Sequence, residues 1–210
     1  MDRFTDVDDL ILACGKNGSL EDADLSYLEI EGVDFAGRSL AGSSIHGSVF
    51  KNVSLDGCNL SGTFIQDDNF SAVTFVGANL EGAFFQRVDL SQSNFAGATL
   101  SGVSFFLCQL PGANLTKCNL VGAKFLDSNL AGADFTGSNI ISGEFRESDI
   151  TGVTFHDCNL QNADFRKTNI YGANFKNMQI EGALYYGKSP WDGEANKDNW
   201  KDKMIVFDGE

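Results

Sequence analysis

The 210-residue chain contains little proline, little histidine and few basic side chains. It has two prolines and two histidines, and its 15 Lys or Arg stand against 29 Asp or Glu, a formal net charge of -14. Binding to nucleic acid through phosphate needs clustered Lys and Arg, so this balance argues against direct nucleic-acid binding. No apolar run approaches the roughly 18 residues of a membrane span, and residues 1–4 lack the basic and then apolar order of a signal peptide. We therefore expect a cytoplasmic protein without a membrane span.

Phenylalanine and glycine, by contrast, are abundant, with 18 and 23 residues in a chain that is 42% hydrophobic. An internal repeat accounts for both. From residue 20 to residue 185, every fifth residue is Leu, Ile, Phe or finally Tyr, at 34 consecutive positions. A small residue stands two places before the large one in 29 of 33 units, and Gly stands two places after it in 17 of 33. The apolar content predicts a folded chain with a continuous core.

The period of five excludes an α-helix, because five steps of about 100° would spread the apolar residues around the helix. In a strand, residues two apart share a side, so the small and the large residue both point inward and the polar residue between them points out. The frequent Gly then falls third in a type II β-turn, where φ is positive, and Pro111-Gly112 fits the second and third turn positions. The repeat therefore predicts a chain that turns every five residues and winds into a solenoid.

Units such as Ala78-Asn79-Leu80-Glu81-Gly82 and Ala133-Asp134-Phe135-Thr136-Gly137 resemble the A(D/N)LXX unit of the pentapeptide repeat family. The resemblance covers about four-fifths of the chain. It implies an all-β fold, a right-handed quadrilateral parallel β-helix with four units in each coil. Positions separated by four units then stack on one face, which gives about 8 coils and, at roughly 4.8 Å between paired strands, a rod about 40 Å long.

An N-terminal segment, residues 1–19, precedes the β-helix of residues 20–185. Its apolar side chains follow the spacing i, i+3, i+4 and i+7 of an amphipathic helix, at Val7, Leu10, Ile11 and Cys14. Thr5 and Asp8 are placed as the N-terminal cap and Gly15 as the end of this helix. We expect the helix to cap the first coil, since an open end of a β-helix exposes unpaired backbone groups.

A C-terminal segment, residues 186–210, follows the last repeat. It contains Trp191, Trp200 and the apolar run 204–207. One interpretation is that the segment folds back as a cap over the last coil. The alternative is that it forms a homodimer, and the sequence leaves both open.

No catalytic, cofactor-binding or metal-binding residues are predicted. Four of the five cysteines take the small inward position of the repeat, at Cys58, Cys108, Cys118 and Cys158. Under four-sided winding Cys118 and Cys158 lie two coils apart, about 10 Å, which exceeds the roughly 7 Å between Cα atoms that a disulfide tolerates. They are expected to be buried free thiols, as in a reducing compartment. His46 and His156 fall on different faces and cannot share a metal, so we expect no enzyme and no cofactor.

Five large apolar residues take outward positions on one side of the predicted rod, at Phe64, Phe84, Phe106, Leu107 and Leu126. A contiguous exposed apolar patch usually marks a partner site. The alternative is that these side chains lie along the rod and shield one another, or that they meet a cap. We predict a protein-interaction patch here.

Asp68, next to this patch, breaks the rule of a small inward residue. An unpaired carboxylate inside the rod would be costly. Either residues 66–69 bulge, or Asp68 accepts a hydrogen bond, with Ser48 one coil earlier as the candidate donor. A deformed side at Asp68 is also a candidate binding edge.

The first coil is the most acidic, with Glu21, Asp22, Asp24, Glu29, Glu31 and Asp34. Some pentapeptide repeat proteins resemble DNA and protect type II topoisomerases from inhibitors. A 40 Å duplex carries about 24 negative charges, whereas residues 20–185 hold 19 acidic and 9 basic side chains, a net of -10. We therefore predict a non-catalytic scaffold that binds a protein partner. The alternative is a DNA mimic that binds DNA gyrase and protects it from quinolones.

Overall fold

A computed structural model describes Phe4 and residues 6–15, 20–185 and 205–206 of the chain. One helix, α1, spans Val7–Gly15, and all other elements among these residues are strands of two or three residues. In chain order the strands are β1 (Glu29–Glu31), β2 (Ser44–His46), β3 (Val49–Lys51), β4 (Phe64–Gln66), β5 (Phe84–Gln86), β6 (Ser104–Phe106), β7 (Lys124–Leu126), β8 (Thr154–His156), β9 (Asp164–Phe165), β10 (Asn174–Lys176), β11 (Leu184–Tyr185) and β12 (Ile205–Val206).

The strands pair in parallel with partners four repeat units away, such as Ile65 with Phe85 and Phe85 with Phe105. Four units therefore complete one coil, as the family resemblance implies, and the chain is a quadrilateral β-helix of about 8 coils. We number the coils from residue 20, so that coil 1 is 20–39 and coil 8 is 160–179. We number the faces by their inward large residues, beginning with face 1 at Leu25, face 2 at Ile30, face 3 at Phe35 and face 4 at Leu40.

Face 1 holds the most regular sheet. Strands β2, β4, β5, β6 and β7 form one five-stranded parallel sheet on it, and β9, β11 and β12 form another. The pair β1 and β3 lies on face 2, and the pair β8 and β10 lies on face 3. Face 4 is joined by single bridges between successive coils, such as Asn59 with Asn79. Among the described residues, face 1 therefore carries the longest run of regular strand pairing.

The core is the stacked column of large residues along the axis. Phe residues of face 1 stack from coil to coil, as expected for positions four units apart, with ring centroids 4.8 Å apart from Phe85 to Phe105 and 5.1 Å apart from Phe105 to Phe125. Rings of the opposite faces 1 and 3 meet edge to face across the axis, as Phe135 does with Phe125 at 5.7 Å. Both arrangements are favoured by the aromatic quadrupole, so the alternation of Phe with Leu or Ile packs the axis.

The turns have the backbone that the position of Gly predicted. Every position two places after a large residue, from residue 22 to residue 182, has positive φ, and just over half of these positions are Gly. The Ser43 N–H donates to the Leu40 carbonyl at 3.1 Å, which closes a turn at its first and fourth residues. The other turn positions carry a side chain on a backbone that favours Gly, which is a local strain.

The small inward residues form ladders of hydrogen bonds inside the corners. The Ser148 Oγ donates to the Phe125 carbonyl at 2.7 Å and accepts the Ser128 N–H at 3.0 Å. The Cys118 Sγ takes the same place and donates to the Phe95 carbonyl at 3.0 Å. Burial raises the pKa of the Cys118 thiol to about 12. The predicted burial of Cys58, Cys108, Cys118 and Cys158 as free thiols is confirmed.

Helix α1 differs in part from its prediction. Its N-cap is Asp6, whose Oδ1 accepts the Asp9 N–H at 2.9 Å, and Thr5 lies outside the described residues. Leu10 is fully buried in the core, as predicted, but Ile11 is 48% exposed and lies off the packed side of the helix. The side chain of Cys14 lies outside the described residues.

Residues outside the repeats bind to both ends of the rod through backbone hydrogen bonds. The Phe4 N–H donates to the Asp24 carbonyl at 3.1 Å on the first coil. At the other end β12 pairs in parallel with β11, with Leu184 opposite Ile205. Most of residues 186–210, the predicted cap or dimerisation tail, lies outside the described residues.

Candidate interaction surface

The patch residues predicted from the sequence lie together on the five-stranded sheet of face 1. Phe64 and Phe84 stand on the side of the strands that precedes the inward residue, and their rings stack at 5.4 Å with 5° between planes. Phe106 and Leu126 are paired residues on the other side of the strands, and both are half-buried. Phe64 is 43% exposed and Leu107, at the adjoining corner, is 42% exposed. The stacked rings of Phe64 and Phe84 thus shield each other in part, and the pair Phe106 and Leu126 lies on the other side of the same sheet.

Asp68 lies inside the corner behind this patch and is only 4% exposed. The Ser48 N–H donates to its Oδ1, as predicted, and the Gln66 N–H donates to Oδ2 at 3.0 Å. The carboxylate thus occupies the place of a Ser or Cys hydrogen-bond group in the corner ladder, and Asn69 keeps its bridges to the coils before and after it. Burial raises the pKa of Asp68 to about 7, against the effect of these two donors. The predicted alternative of a bulge is wrong, because the hydrogen bonds satisfy the carboxylate in place.

A shallow groove of about 350 Å³ runs along the corner outside Asp68. Asp67 and Arg87 form its rim, where the Arg87 Nη2 donates to the Asp67 Oδ2 at 2.7 Å. These hydrogen bonds hold the pKa of the Asp67 carboxyl below its usual value. The groove is also lined by Ser48, Asn69 and Leu107. It therefore lies between polar residues of the corner and the apolar patch.

Beyond Leu126, face 1 changes from apolar to ion-paired. Acidic residues occupy the side of the strands that precedes the inward residue, and arginines occupy the side that follows it. The Arg146 Nη2 lies 3.1 Å from the Glu144 Oε2, and the Arg166 Nη2 lies 2.6 Å from the Asp164 Oδ2. Arg146 also lies 3.6 Å from Asp164, which links the two strands. Coils 7 and 8 therefore carry a fixed acidic column beside a fixed arginine column.

The two long edges of face 1 differ in their turn residues. The corner between faces 1 and 2 has a single Gly among eight turn positions, which are Tyr27, Gly47, Asp67, Arg87, Leu107, Asp127, Glu147 and Lys167. The corner between faces 4 and 1 has six among nine, which are Asp22, Gly42, Gly62, Gly82, Gly102, Gly122, Ser142, Asn162 and Gly182. All of these residues have positive φ. We call the first edge the tall corner and the second the glycine corner.

Comparison with protein families agrees with this geometry. The pentapeptide repeat region family model matches residues 78–155, and the model of pentapeptide repeats (8 copies) matches residues 29–67 and 148–184. The chain belongs to the pentapeptide repeat family. These matches leave out only residues 68–77 between 29 and 184, the stretch that begins at Asp68.

Solved pentapeptide repeat proteins share the fold. The full-length plasmid-mediated fluoroquinolone resistance protein QnrB1 is 20% identical over 85% of this chain and 95% of its own, with a TM-score of 0.55. HetL, which is involved in heterocyst differentiation regulation in the cyanobacterium Nostoc, is 19% identical over 99% of both chains, with a TM-score of 0.48. No curated protein matches the sequence. At such identities the likeness to QnrB1 shows the fold alone.

The acidic residues of the first coil of this pentapeptide repeat protein surround the rod. Glu29 and Glu31 flank Ile30 on face 2, Asp24 lies on face 1 and Asp34 on face 3. Glu21 accepts a hydrogen bond from the Ser39 Oγ at 2.7 Å near face 4. The structure therefore distributes Glu21, Asp22, Asp24, Glu29, Glu31 and Asp34 around the perimeter and does not gather them on one side.

Two features of the site are absent from the sequence predictions. One is the pairing of acidic and arginine columns in coils 7 and 8, which needs the order of charges within each face. The other is the tall corner, whose shortage of Gly appears only when turn residues are compared from coil to coil. Counting Gly at a spacing of five averages the four corners and hides it.

Metal ligands and membrane-spanning helices are two further features that bear on function. Within Phe4, 6–15, 20–185 and 205–206, no group of three His, Cys, Asp or Glu side chains could hold a metal ion. No helix among those residues is both long enough and apolar enough to cross a membrane.

Proposed function

We propose that this pentapeptide repeat protein is a non-catalytic scaffold that binds a protein partner through face 1. The observation that carries the proposal is the gathering of five large apolar side chains on and beside one five-stranded sheet, at Phe64, Phe84, Phe106, Leu107 and Leu126. Phe64 and Leu107 are each more than 40% exposed, and apolar side chains gathered on a surface usually mark a partner site. Aromatic residues on a rigid framework lose little conformational entropy on binding, which favours a partner site.

The test is an affinity capture with the full chain and with the double variant Phe84→Ser, Phe106→Ser. A matched control removes two exposed apolar side chains from other parts of the rod, Val76→Ser and Tyr171→Ser, both of which are exposed away from face 1. We expect partners to be lost from the first variant and kept by the second, with circular dichroism unchanged in both. Equal capture by all three proteins would contradict the proposal.

The alternative, mimicry of DNA toward DNA gyrase, predicts a concentrated negative stripe. The first-coil carboxylates surround the rod, and the arginines of coils 7 and 8 offset the acidic residues of face 1, so charge placement favours the scaffold. A gyrase supercoiling assay with and without a quinolone separates the two functions. Neither inhibition nor protection is expected.

We also propose that the scaffold works in the cytoplasm. Its described cysteines are unpaired thiols inside the core, which is usual in a reducing compartment. Fractionation of cells that express the tagged full chain tests this location, and recovery with the secreted proteins would contradict it.

A further inference from the structure

We propose that face 1 binds a second copy of this chain, with the two rods parallel and related by a two-fold axis along the rod. The proposal rests on the proposed function, because it names the occupant of the same apolar patch. Such an axis has no translation along the rod, so each coil faces the same coil of the partner. It also places the side of each strand that precedes the inward residue against the side that follows it.

The charged coils are complementary in this arrangement and in no antiparallel one. The acidic column, Glu144 and Asp164, faces the arginine column, Arg146 and Arg166, of the other copy. Each acidic residue therefore keeps an arginine within its own strand and gains one across the interface. An antiparallel two-fold would place arginines against the arginine side instead. Complementary columns chiefly select the orientation of the partner, and like charges penalise the wrong one.

The apolar coils fit in the same register. Ser104 pairs with Phe84 on the sheet and continues the line of the stacked rings of Phe64 and Phe84 with a much smaller side chain, which leaves room for a ring of the other copy. Ser104 faces Phe106 of the other copy, so that ring enters the gap and lies against Phe84. The two-fold repeats this contact once in each direction. Two aromatic contacts therefore form at the centre of the interface, where buried aromatic side chains contribute most to binding.

The edges of face 1 are complementary in shape. The tall corner of one copy lies against the glycine corner of the other, coil by coil, so that Arg87 meets Gly82, Leu107 meets Gly102 and Asp127 meets Gly122. A Cβ atom placed on Gly82, Gly102 or Gly122 would meet nothing within 4 Å beyond the adjoining residues of the chain, so this edge is open next to the backbone. Large residues at positive φ are strained, and strain of this kind is often retained where it serves binding. The tall corner is explained if its side chains fill the open edge of a partner.

The size of face 1 agrees with a stable dimer only if the whole face is used. Eight coils at about 4.8 Å and five residues across at about 3.3 Å give about 600 Å² for each copy, or about 1,200 Å² in total. That total is the lower end of specific interfaces. The apolar coils alone would give about half, the size of a crystal contact. The charged coils and the two corners are therefore needed as well.

The first experiment measures association of the full chain by sedimentation velocity, from about 1 to 100 μM. Two double variants place the same bulk on open glycines of similar φ at different corners. Gly82→Arg, Gly102→Arg fills the glycine corner, and Gly77→Arg, Gly97→Arg fills the corner between faces 3 and 4. We expect the wild type and the second variant to dimerise and the first variant to lose at least about tenfold in affinity.

The second experiment tests the parallel orientation. A charge-exchanged chain carries Glu144→Arg, Arg146→Glu, Asp164→Arg and Arg166→Glu, which keeps each pair within its own strand. We expect this chain to dimerise with itself and not with the wild type, as measured by native mass spectrometry of a mixture. Free mixing of the two chains would overturn the parallel arrangement.

Other outcomes also decide. A wild type that stays monomeric at 100 μM overturns the dimer, and so does equal dimerisation, or equal loss, in both arginine-for-glycine variants. If the wild type is monomeric and Phe84→Ser, Phe106→Ser still loses its captured partner, the proposed function stands without this inference. If the dimer forms but depends on residues 186–210 and not on face 1, the inference is wrong.

Discussion

The inside and the outside of face 1 follow different rules along the same strands. Inside, each strand contributes a large apolar residue, from Ile45 to Phe165, and the side chains stack in a continuous column. Outside, the same strands change from serine and histidine, through an aromatic patch, to paired acids and arginines. The inward residues of face 1, which we call the inner row, must pack against the axis of the rod. The outward residues of the same strands, which we call the outer row, are free of that constraint. The outer row and the two corners beside it therefore determine which partner the face can bind.

The largest effect is expected from breaking the core column that the inner row shares with the other faces, for which face 3 supplies Phe135. Phe135→Ala should lower the free energy of unfolding by about 3–5 kcal/mol, because the ring is fully buried and its removal leaves a cavity. Phe135→Leu fills most of that space and should cost about 1.5 kcal/mol or less. Urea denaturation followed by circular dichroism measures both. Equal losses in the two variants would show that the cavity is not the cause.

Asp68 is a titrating group buried inside the corner beside face 1. The free energy of unfolding should therefore depend on pH through this residue. Its pKa is raised to about 7 in the folded chain and lies near 3.8 when unfolded, so the folded state binds the proton more tightly. Stability should therefore fall as pH rises from about 4 to about 7, with a slope of at most about 1.4 kcal/mol per pH unit. Asp68→Ser restores the hydroxyl of the ladder and should remove this slope.

The control for that series is Asp89→Asn, which removes a carboxylate from the outside of face 2 one coil later. We expect the wild-type slope to persist in this variant when unfolding is measured from pH 4 to pH 8. The difference between wild type and Asp68→Ser isolates Asp68 from His46 and Asp67, which lie beside it. A slope that survives in Asp68→Ser would assign the effect to another group.

Removing a side chain at positive φ from the tall corner should stabilise the chain, whereas adding one to the glycine corner should destabilise it. Leu107→Gly relieves a strained backbone and should stabilise the isolated chain by about 1 kcal/mol. Gly122→Ala introduces the same kind of strain in open space and should destabilise it by about 1 kcal/mol. Thermal unfolding at low protein concentration, where association is weak, measures both shifts. Shifts of the same sign would contradict the role assigned to φ.

The smallest effect on stability is expected from the outer row. Phe84→Ser, Phe106→Ser should change the free energy of unfolding by about 1 kcal/mol or less, because both side chains are half-buried at the surface. Urea denaturation beside the Phe135→Ala variant gives the contrast directly. A loss approaching that of Phe135→Ala would mean that the patch is part of the core.

The inner row could be predicted almost completely because every unit of the repeat obeys the same physical constraint. Phase, turn position and burial of Cys118 follow from one small and one large inward residue in five, and the stacking of Phe85 on Phe105 follows once the family resemblance supplies four sides. Ser48 as a donor to Asp68 also followed, since equivalent positions of successive coils are neighbours. The number of sides did not follow from counting and came from the family resemblance.

The outer row was less predictable for a physical reason. The exposure of Ile11 depends on how α1 sits on the first coil, which no repeat constrains. The ion pairs of Glu144 with Arg146 depend on rotamers at the surface. The residues of the patch could be predicted, because outward positions follow from the phase of the repeat. The partner surface that binds them is not encoded in the repeat.

Because four units complete one coil, the number of units that precede a residue determines the face on which it lies. Removing any one unit keeps the large residues in phase and the turns at positive φ, although it moves the Phe column of face 1 onto an aliphatic column. Yet each residue after the deletion moves by a quarter of the circumference. A deletion after residue 95 would leave Phe84 on its own side and carry the surroundings of Phe106 to the next side. Homologous rods can therefore differ in the side chains that each side displays through a single indel.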